Sequence, residues 1–237
     1  LNRNTASNNT AVGRQALEAN TTGTDNTAVG FGALDVNTTA INNTAVGRNA
    51  MGANTTGHRN TSVGKDSMAV NTTGCCNASL GWASLNANTT GCNNIAVGAL
   101  ALSANTTASD NTAVGAVALT SNTTGHSNVA IGHCALYTNT EGDTNTAVGH
   151  HALKLNTTAA DNTGVGRNAL CTTTTGCVNT ALGSSAMQSN TTGDNNIGIG
   201  GSTLFNNTTA DNNTAVGTTA MVANTTGTEN VAVGCGA

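Results

Sequence analysis

Residues 9–30 read NTAVGRQALEANTTGTDNTAVG, which is one complete repeat of 17 residues followed by the start of the next. The pattern continues along the chain without an insertion or a deletion. Gly recurs at every seventeenth residue from Gly13 to Gly234, and an Asn stands four residues before each of these glycines. A register kept without a slip indicates that each repeat stacks on the one before, because an insertion would break a stacked ladder.

This period predicts an all-β fold, a parallel β-solenoid (β-roll or β-helix) of fourteen 17-residue coils that covers residues 1–237 as one continuous domain. A 17-residue period does not close on helical turns of about 3.6 residues, and Asn-Thr-Thr-Gly is poor helix material. Asn tolerates left-handed backbone, and stacked Asn amides can hydrogen-bond along the axis. The members of the predicted structural ladder are Asn9, Asn26, Asn43, Gly13, Gly30 and Gly47.

Residues 9–25 serve as the specimen coil, and each column of stacked residues is named below by its member in that coil. Position 10 is Thr or aliphatic in most coils and position 12 is always aliphatic, so we expect both to point into the core. Alternation then predicts that Leu17, Ala19 and Thr21 point inward and that position 18 faces solvent. Position 11 is only Ala, Ser or Gly. Because an outward column should vary, this restriction predicts a homo-oligomer, in which a second copy packs against it. The alternative is that a corner of the same coil folds over Ala11.

The composition excludes several classes of function. The formal net charge is −4 and the few Lys and Arg residues are scattered, so no basic surface is predicted for nucleic acid. No apolar run approaches the roughly 18 residues of a membrane span, so we expect no membrane insertion. The chain does not begin with Met, and we expect it to be a piece of a longer fibre.

Two segments carry a likeness to known proteins, namely Asn128-Val129-Ala130-Ile131-Gly132 and residues 230–234, which read NVAVG. They resemble the Asn-Ser-Val-Ala-Ile-Gly head repeat of bacterial trimeric autotransporter adhesins, a family that forms left-handed parallel β-roll trimers. The Asn-Thr-Ala-Val-Gly repeats are also similar to those of phage and algal-virus tail-fibre-like proteins. The likeness implies a solenoid at a cell or virion surface, although this 17-residue period is longer than that of the adhesin heads.

Asn-x-Ser/Thr, the acceptor sequence for N-glycosylation, recurs throughout the chain. The inward alternation of Leu17, Ala19 and Thr21 places the position-20 column outward, where a glycan would reach solvent. The alternative is that these Asn residues form turn ladders and that the repeat composition creates the acceptor sequence. The glycosylation candidates are Asn20, Asn37, Asn54, Asn71, Asn88, Asn105, Asn122, Asn156, Asn190, Asn207 and Asn224, and weaker ones are Asn8, Asn42, Asn60, Asn77 and Asn212.

The seven Cys residues fall only in variable columns. Cys75 and Cys92 occupy one column a single coil apart, and Cys171 and Cys177 bracket a Thr-rich turn. Both pairs are disulfide candidates, since each can bring its Cα atoms within the roughly 4.4–6.8 Å that a disulfide spans. Free surface thiols are the alternative.

Stacking also brings together two groups of metal-ligand residue types. One contains His133, Cys134, His150 and His151, and the other contains His58, Cys75, Cys76 and Cys92. Neither group recurs along the chain and neither has a zinc-binding spacing, so the sequence favours drift at exposed positions and predicts no metal site and no cofactor.

No catalytic arrangement of residues is recognisable, and we expect that the protein is not an enzyme. The leading functional hypothesis is a structural protein of an extracellular fibre or appendage shaft, which associates with copies of itself and is coated with glycans. The alternative is the head of an adhesin or viral tail fibre, which binds glycans or cell-surface receptors. Ice binding is a minor alternative, disfavoured because Thr21 is expected to point inward and Thr22 outward. Each hypothesis places the protein outside the cell or at a cell or virion surface.

Overall fold

The computed structural model describes residues 6–237. Each repeat contributes one strand of three residues, and no helix occurs among the described residues. The strands are β1 (Thr10–Val12), β2 (Thr27–Val29), β3 (Thr44–Val46), β4 (Thr61–Val63), β5 (Ala78–Leu80), β6 (Ile95–Val97), β7 (Thr112–Val114), β8 (Val129–Ile131), β9 (Thr146–Val148), β10 (Thr163–Val165), β11 (Thr180–Leu182), β12 (Ile197–Ile199), β13 (Thr214–Val216) and β14 (Val231–Val233). Nothing in residues 6–237 has the helical length and hydropathy that a membrane crossing requires.

The chain divides into two compact units, the first with residues up to 117 and 122–124, the second with residues 118–121 and 125–237. In the first unit, β1 to β7 pair in parallel, each with the next, and β2 aligns Val29 with Val46 of β3. In the second unit, β8 to β14 pair in the same way, and β10 aligns Val165 with Leu182 of β11. This register, in which residues 17 apart are neighbours, confirms the predicted parallel β-solenoid.

The orientation of the strands is the opposite of the predicted one. The middle residue is buried, with Ala28 and Ala45 0% exposed, whereas the flanking residues are half-buried or exposed, with Val12 57% exposed. The prediction that positions 10 and 12 point inward is therefore wrong. Position 11 points inward, and its small side chains need no second copy of the chain to explain them.

The narrow interior of the coil explains why position 11 is small. A Cβ atom added to Gly164 would lie 3.4 Å from Cγ of Leu153, and one added to Gly198 would lie 2.9 Å from Cγ of Met187. Position 11 thus faces the Leu or Met side chain of the preceding coil's position 17. A larger residue at position 11 would overpack this space.

The core of each coil contains a single large side chain. All the largest fully buried side chains belong to the position-17 column, which confirms its predicted inward orientation; they are Leu17, Leu34, Met51, Met68, Leu85, Leu102, Leu119, Leu136, Leu153, Leu170, Met187 and Leu204. The Ala column at position 16 lies beside them and is mostly buried. The remaining interior space is filled by position 11 and by Asn side chains.

The predicted inward orientation of Thr21 is also wrong, because Asn20 occupies the interior in its place. The hydroxyl of Thr21 donates a hydrogen bond to the carbonyl oxygen of Thr38 at 3.0 Å, and that of Thr55 donates to Thr72 at 3.1 Å. The Thr hydroxyls therefore bond the neighbouring coil from an exposed or half-buried position on the outside of the coil.

The recurring Gly of the position-13 column is required by backbone conformation and by close approach. Gly47 has φ +137°, and a Cβ atom there would lie 2.4 Å from the carbonyl oxygen of Gly64. A side chain would collide with the backbone of the next coil, where no flexible group can move aside.

Left-handed backbone also recurs at three positions that are not Gly in most coils. In the specimen coil these residues are Gln15 (φ 62°), Leu17 (φ 50°) and Asp25 (φ 59°), and their columns repeat it. This conformation is unfavourable for side chains other than Asn and Asp, above all for β-branched ones such as Val117 and Val178. Stacking on the adjacent coils holds the backbone in this conformation.

Candidate functional sites

The position-9 column forms the predicted Asn ladder. The backbone nitrogen of Asn26 donates to Oδ1 of Asn9 at 2.9 Å, and that of Asn43 donates to Oδ1 of Asn26 at 3.0 Å. The Nδ2 of Asn26 donates to the carbonyl oxygen of Ala40 at 2.8 Å. Each side-chain amide thus ties its own coil to the following one through Oδ1 and to a turn of its own coil through Nδ2, which confirms a structural role for this column.

The position-20 column forms a second Asn ladder, which was the alternative to the glycosylation hypothesis. The Nδ2 of Asn37 donates to Oδ1 of Asn20 at 2.8 Å and to the carbonyl oxygen of Ala40 at 3.2 Å. The outward placement on which the glycosylation hypothesis rested is therefore wrong. The candidates that are 0% exposed are Asn20, Asn37, Asn54, Asn71, Asn88, Asn105, Asn122, Asn156, Asn190 and Asn207.

A glycan on any of these nitrogens would need solvent access that the folded coil does not provide. Asn224 is half-buried, and its Nδ2 still donates to Oδ1 of Asn207 at 3.1 Å. Of the weaker candidates, Asn60 and Asn77 are buried, whereas those at the exposed turn are Asn8, Asn42 and Asn212. Glycosylation of the folded chain therefore stays a prediction for the turn residues alone.

Cys75 and Cys92 lie in direct contact, with 2.7 Å between their sulfur atoms. The hydrogen bond with Cys92, followed by burial, raises the pKa of Cys75 from 9.0 to about 12. Both thiols are free in this structure, and a small shift would bring the sulfur atoms to the roughly 2.05 Å of a disulfide bond. The geometry agrees with the disulfide hypothesis for this pair, which stays a prediction.

Cys171 and Cys177 have separate surroundings. The sulfur of Cys177 contacts the amide nitrogen of Ala160 at 3.4 Å and the carbonyl oxygen of Thr175 at 3.3 Å. Burial raises the pKa of Cys171. Among residues 6–237 no contact joins these two sulfur atoms, so a disulfide between them, which stays a prediction, would require the turn to rearrange.

One group of predicted metal-ligand residue types does come together. Potential ligand atoms of His133, Cys134 and His151 all lie within 4.8 Å of one another. The ring of His150 stacks on that of His133 with 5.4 Å between centroids, and its centroid lies 3.7 Å from that of His151. Burial, followed by the charge of His150, lowers the pKa of His151.

The second group does not come together in the same way. Cys75 contacts Cys92, while Cys76 is exposed and its backbone nitrogen donates to the carbonyl oxygen of His58 at 3.0 Å. Among the described residues, only the group around His133 brings three ligand atoms within such a distance.

The outer surface of the strands is uncharged. It consists of position 10, which is mostly Thr, and position 12, which is always Val, Leu or Ile. In the first unit Leu80 is 51% exposed and Ile95 is 43% exposed, and in the second unit Ile131 and Ile197 are each 40% exposed. We call these two columns the outer strand face.

No family model, no curated protein and no solved structure is significantly similar to this chain.

Proposed function

We propose that this protein is a structural component of an extracellular fibre or appendage shaft, in which copies of the chain associate through the outer strand face. The observation that carries the proposal is that every strand of this face carries an outward aliphatic residue that is half-buried or exposed. Exposed apolar surface that forms a continuous patch is typical of a protein interface, whereas single exposed apolar residues are ordinary.

Several properties of the outer strand face favour a second copy of the chain as its partner. It contains no charged residue in any strand, so two copies can meet without burying an unpaired charge. Its residues repeat every 17 positions, so a contact made by one coil can be repeated by the next. An interface of this kind grows with the number of repeats, as a structural fibre requires. The outer strand face thus takes the place of the position-11 column as the proposed surface for self-association.

The repeat architecture supports a structural rather than a catalytic role. The same residues occupy the same environment in successive coils, and the buried polar groups bond neighbouring coils to each other. The resemblance of the Asn-Val-Ala-Ile-Gly segments to adhesin head repeats supports a location at a cell or virion surface. An adhesin head that binds a receptor is the alternative, and it would use the same uncharged face.

The proposal is tested by charging the outer strand face of the full chain with the triple variant Val46→Lys, Val63→Lys and Leu80→Lys. We expect the wild type to associate as its concentration rises in sedimentation velocity, and the triple variant to associate at least about tenfold more weakly, since charges would be buried in the interface.

The matched control carries three lysines in the same coils on exposed Thr residues of another surface, Thr56→Lys, Thr73→Lys and Thr90→Lys. We expect this control to associate like the wild type. A wild type that stays monomeric, or a control that loses association to the same degree, would contradict the proposed interface.

Ice binding is a second candidate that one observation favours. The structure places Thr27 and Val29 on the same outer side of one strand, which removes the objection based on Thr21 and Thr22. The Thr column therefore lies beside an aliphatic column on one outward face, with residues repeated at every coil. Thermal hysteresis of the monomeric wild type, abolished by the same triple Lys variant and kept by the Thr control, would favour this function over fibre assembly.

A further inference from the structure

The group around His133 lies in the second unit, and the backbone holds it in place. His133 and Cys134 are consecutive residues, and His151 stacks one repeat beyond Cys134. The backbone nitrogen of His151 donates to the carbonyl oxygen of His133 at 3.1 Å, which joins the two coils at this point. The relative positions of the three side chains are therefore set by the same stacking that builds the solenoid.

The distances suit tetrahedral coordination by nitrogen and sulfur. The sulfur of Cys134 lies 3.7 Å from Nε2 of His133. Zinc–sulfur and zinc–nitrogen bonds of about 2.3 and 2.0 Å at a tetrahedral angle place the two ligand atoms roughly 3.5 Å apart. The third ligand atom, on His151, lies within 4.8 Å of both, so a small side-chain rotation completes the set.

We propose that His133, Cys134 and His151 form a binding site for Zn²⁺, with the fourth position open to water. Zinc binds thiolate and imidazole ligands, whereas magnesium and calcium take oxygen ligands, so this ligand set selects zinc over either. The metal would join two adjacent coils, and the proposal is independent of the proposed function.

The charges near the site limit the affinity and make the thiol essential. Lys154 and Arg167 lie close enough to act on His151, and their positive charges oppose a cation. Cys134 is the only one of the three ligands that becomes negative when it binds a metal, and it is 9% exposed. Removing this thiol should therefore weaken binding more than removing either histidine.

The test is a titration of the reduced chain with Zn²⁺ in a calorimeter and, separately, a titration with Co²⁺ in which the thiolate-to-metal absorption is recorded. We expect one ion per chain. Cys134→Ser should abolish the Co²⁺ charge-transfer band, and His133→Gln should weaken Zn²⁺ binding at least about tenfold, a loss that even outer-shell changes can cause. His133 is exposed, so this variant tests the site without changing the interior.

The matched control is the double variant Cys75→Ser and Cys92→Ser, which removes the other closely spaced thiols. It should keep the stoichiometry and the Co²⁺ band of the wild type, and circular dichroism should show that all variants remain folded. Absence of Zn²⁺ binding, binding that survives both Cys134→Ser and His133→Gln, or loss of binding in the control would overturn the proposal.

Discussion

The position-20 column contains an unbroken stretch of hydrogen-bonded Asn residues in the first unit and a stretch interrupted by a single Thr in the second. In the first unit, Nδ2 of Asn54 donates to Oδ1 of Asn37 at 3.1 Å, and Nδ2 of Asn71 donates to Oδ1 of Asn54 at 2.9 Å. In the second unit Thr173 replaces Asn, and both its hydroxyl and Oδ1 of Asn156 are buried without a partner among the described residues.

The comparison shows what each Asn contributes. Its Nδ2 donates a hydrogen bond to Oδ1 of the Asn in the preceding coil, and its own Oδ1 accepts one from Nδ2 of the Asn in the next coil. One substitution therefore affects two hydrogen bonds. Thr is close to Asn in size but its hydroxyl does not reach the acceptor. The interruption thus leaves two unsatisfied polar atoms, Oδ1 of Asn156 in the preceding coil and the hydroxyl of Thr173 itself. Leaving a buried group unsatisfied costs about 1–3 kcal/mol.

The largest effect is expected when the intact stretch is broken with Asn54→Ala. This change removes three hydrogen bonds, including one from Nδ2 to the carbonyl oxygen of Gly57 at 2.9 Å, and opens a small cavity. We expect the free energy of unfolding to fall by about 3 kcal/mol in denaturant titration. The matched control Asn206→Ala, at an exposed position, should change it by less than about 0.5 kcal/mol. Equal effects would contradict a structural role for the column.

A gain of intermediate size is expected from repairing the interrupted stretch with Thr173→Asn. The new amide can donate to Oδ1 of Asn156, so we expect stabilisation by about 1–2 kcal/mol and slower amide hydrogen exchange around that residue. Thr175→Asn, at an exposed position two residues later, should be neutral within about 0.5 kcal/mol. If Thr173→Asn made the chain less stable than the wild type, Oδ1 of Asn156 would not be missing a hydrogen-bond donor in the wild type.

The smallest expected effect concerns backbone conformation in the same region. Val178 has φ 59° and is 52% exposed, so it occupies left-handed backbone without a packing role. Val178→Asn should raise the free energy of unfolding by about 1 kcal/mol, because Asn tolerates this conformation and a β-branched residue does not. Val36→Asn is the control, since Val36 is 39% exposed without left-handed φ, and it should give no gain. If both variants changed the free energy of unfolding equally, the gain would come from the added polar side chain and not from the backbone conformation.

The sequence was sufficient to predict the period, the fold class, the Asn9 ladder and the inward Leu17 column. These features follow from stacking alone, because residues 17 apart must share one environment and a column restricted to Leu and Met favours the interior. The sequence also identified His133, Cys134 and His151 as residues of adjacent coils. In the folded chain their ligand atoms come within 4.8 Å of one another, and Cys134 and His151 both have left-handed backbone, with φ 56° and 59°.

The tertiary structure decided which of the two faces of each strand points into the core. Alternation shows that Thr27 and Val29 share one face and that Ala28 lies on the other, but it does not tell which face is inside. Hydrophobicity favours burying Val, and the prediction followed it. In the folded coil the Leu34 column already fills the interior, so only Ala, Ser or Gly fits beside it, and the larger residues remain outside.

The same reason explains Asn20. A polar residue in a glycosylation sequence is expected at the surface, but the interior of so small a coil has several backbone carbonyl groups that no strand partner satisfies. A buried Asn satisfies them and the neighbouring Asn as well. The sequence by itself therefore determined which residues stack on which, since that depends only on the period, whereas interior volume and hydrogen-bond demand, which exist only in the folded coil, decided which of them are buried.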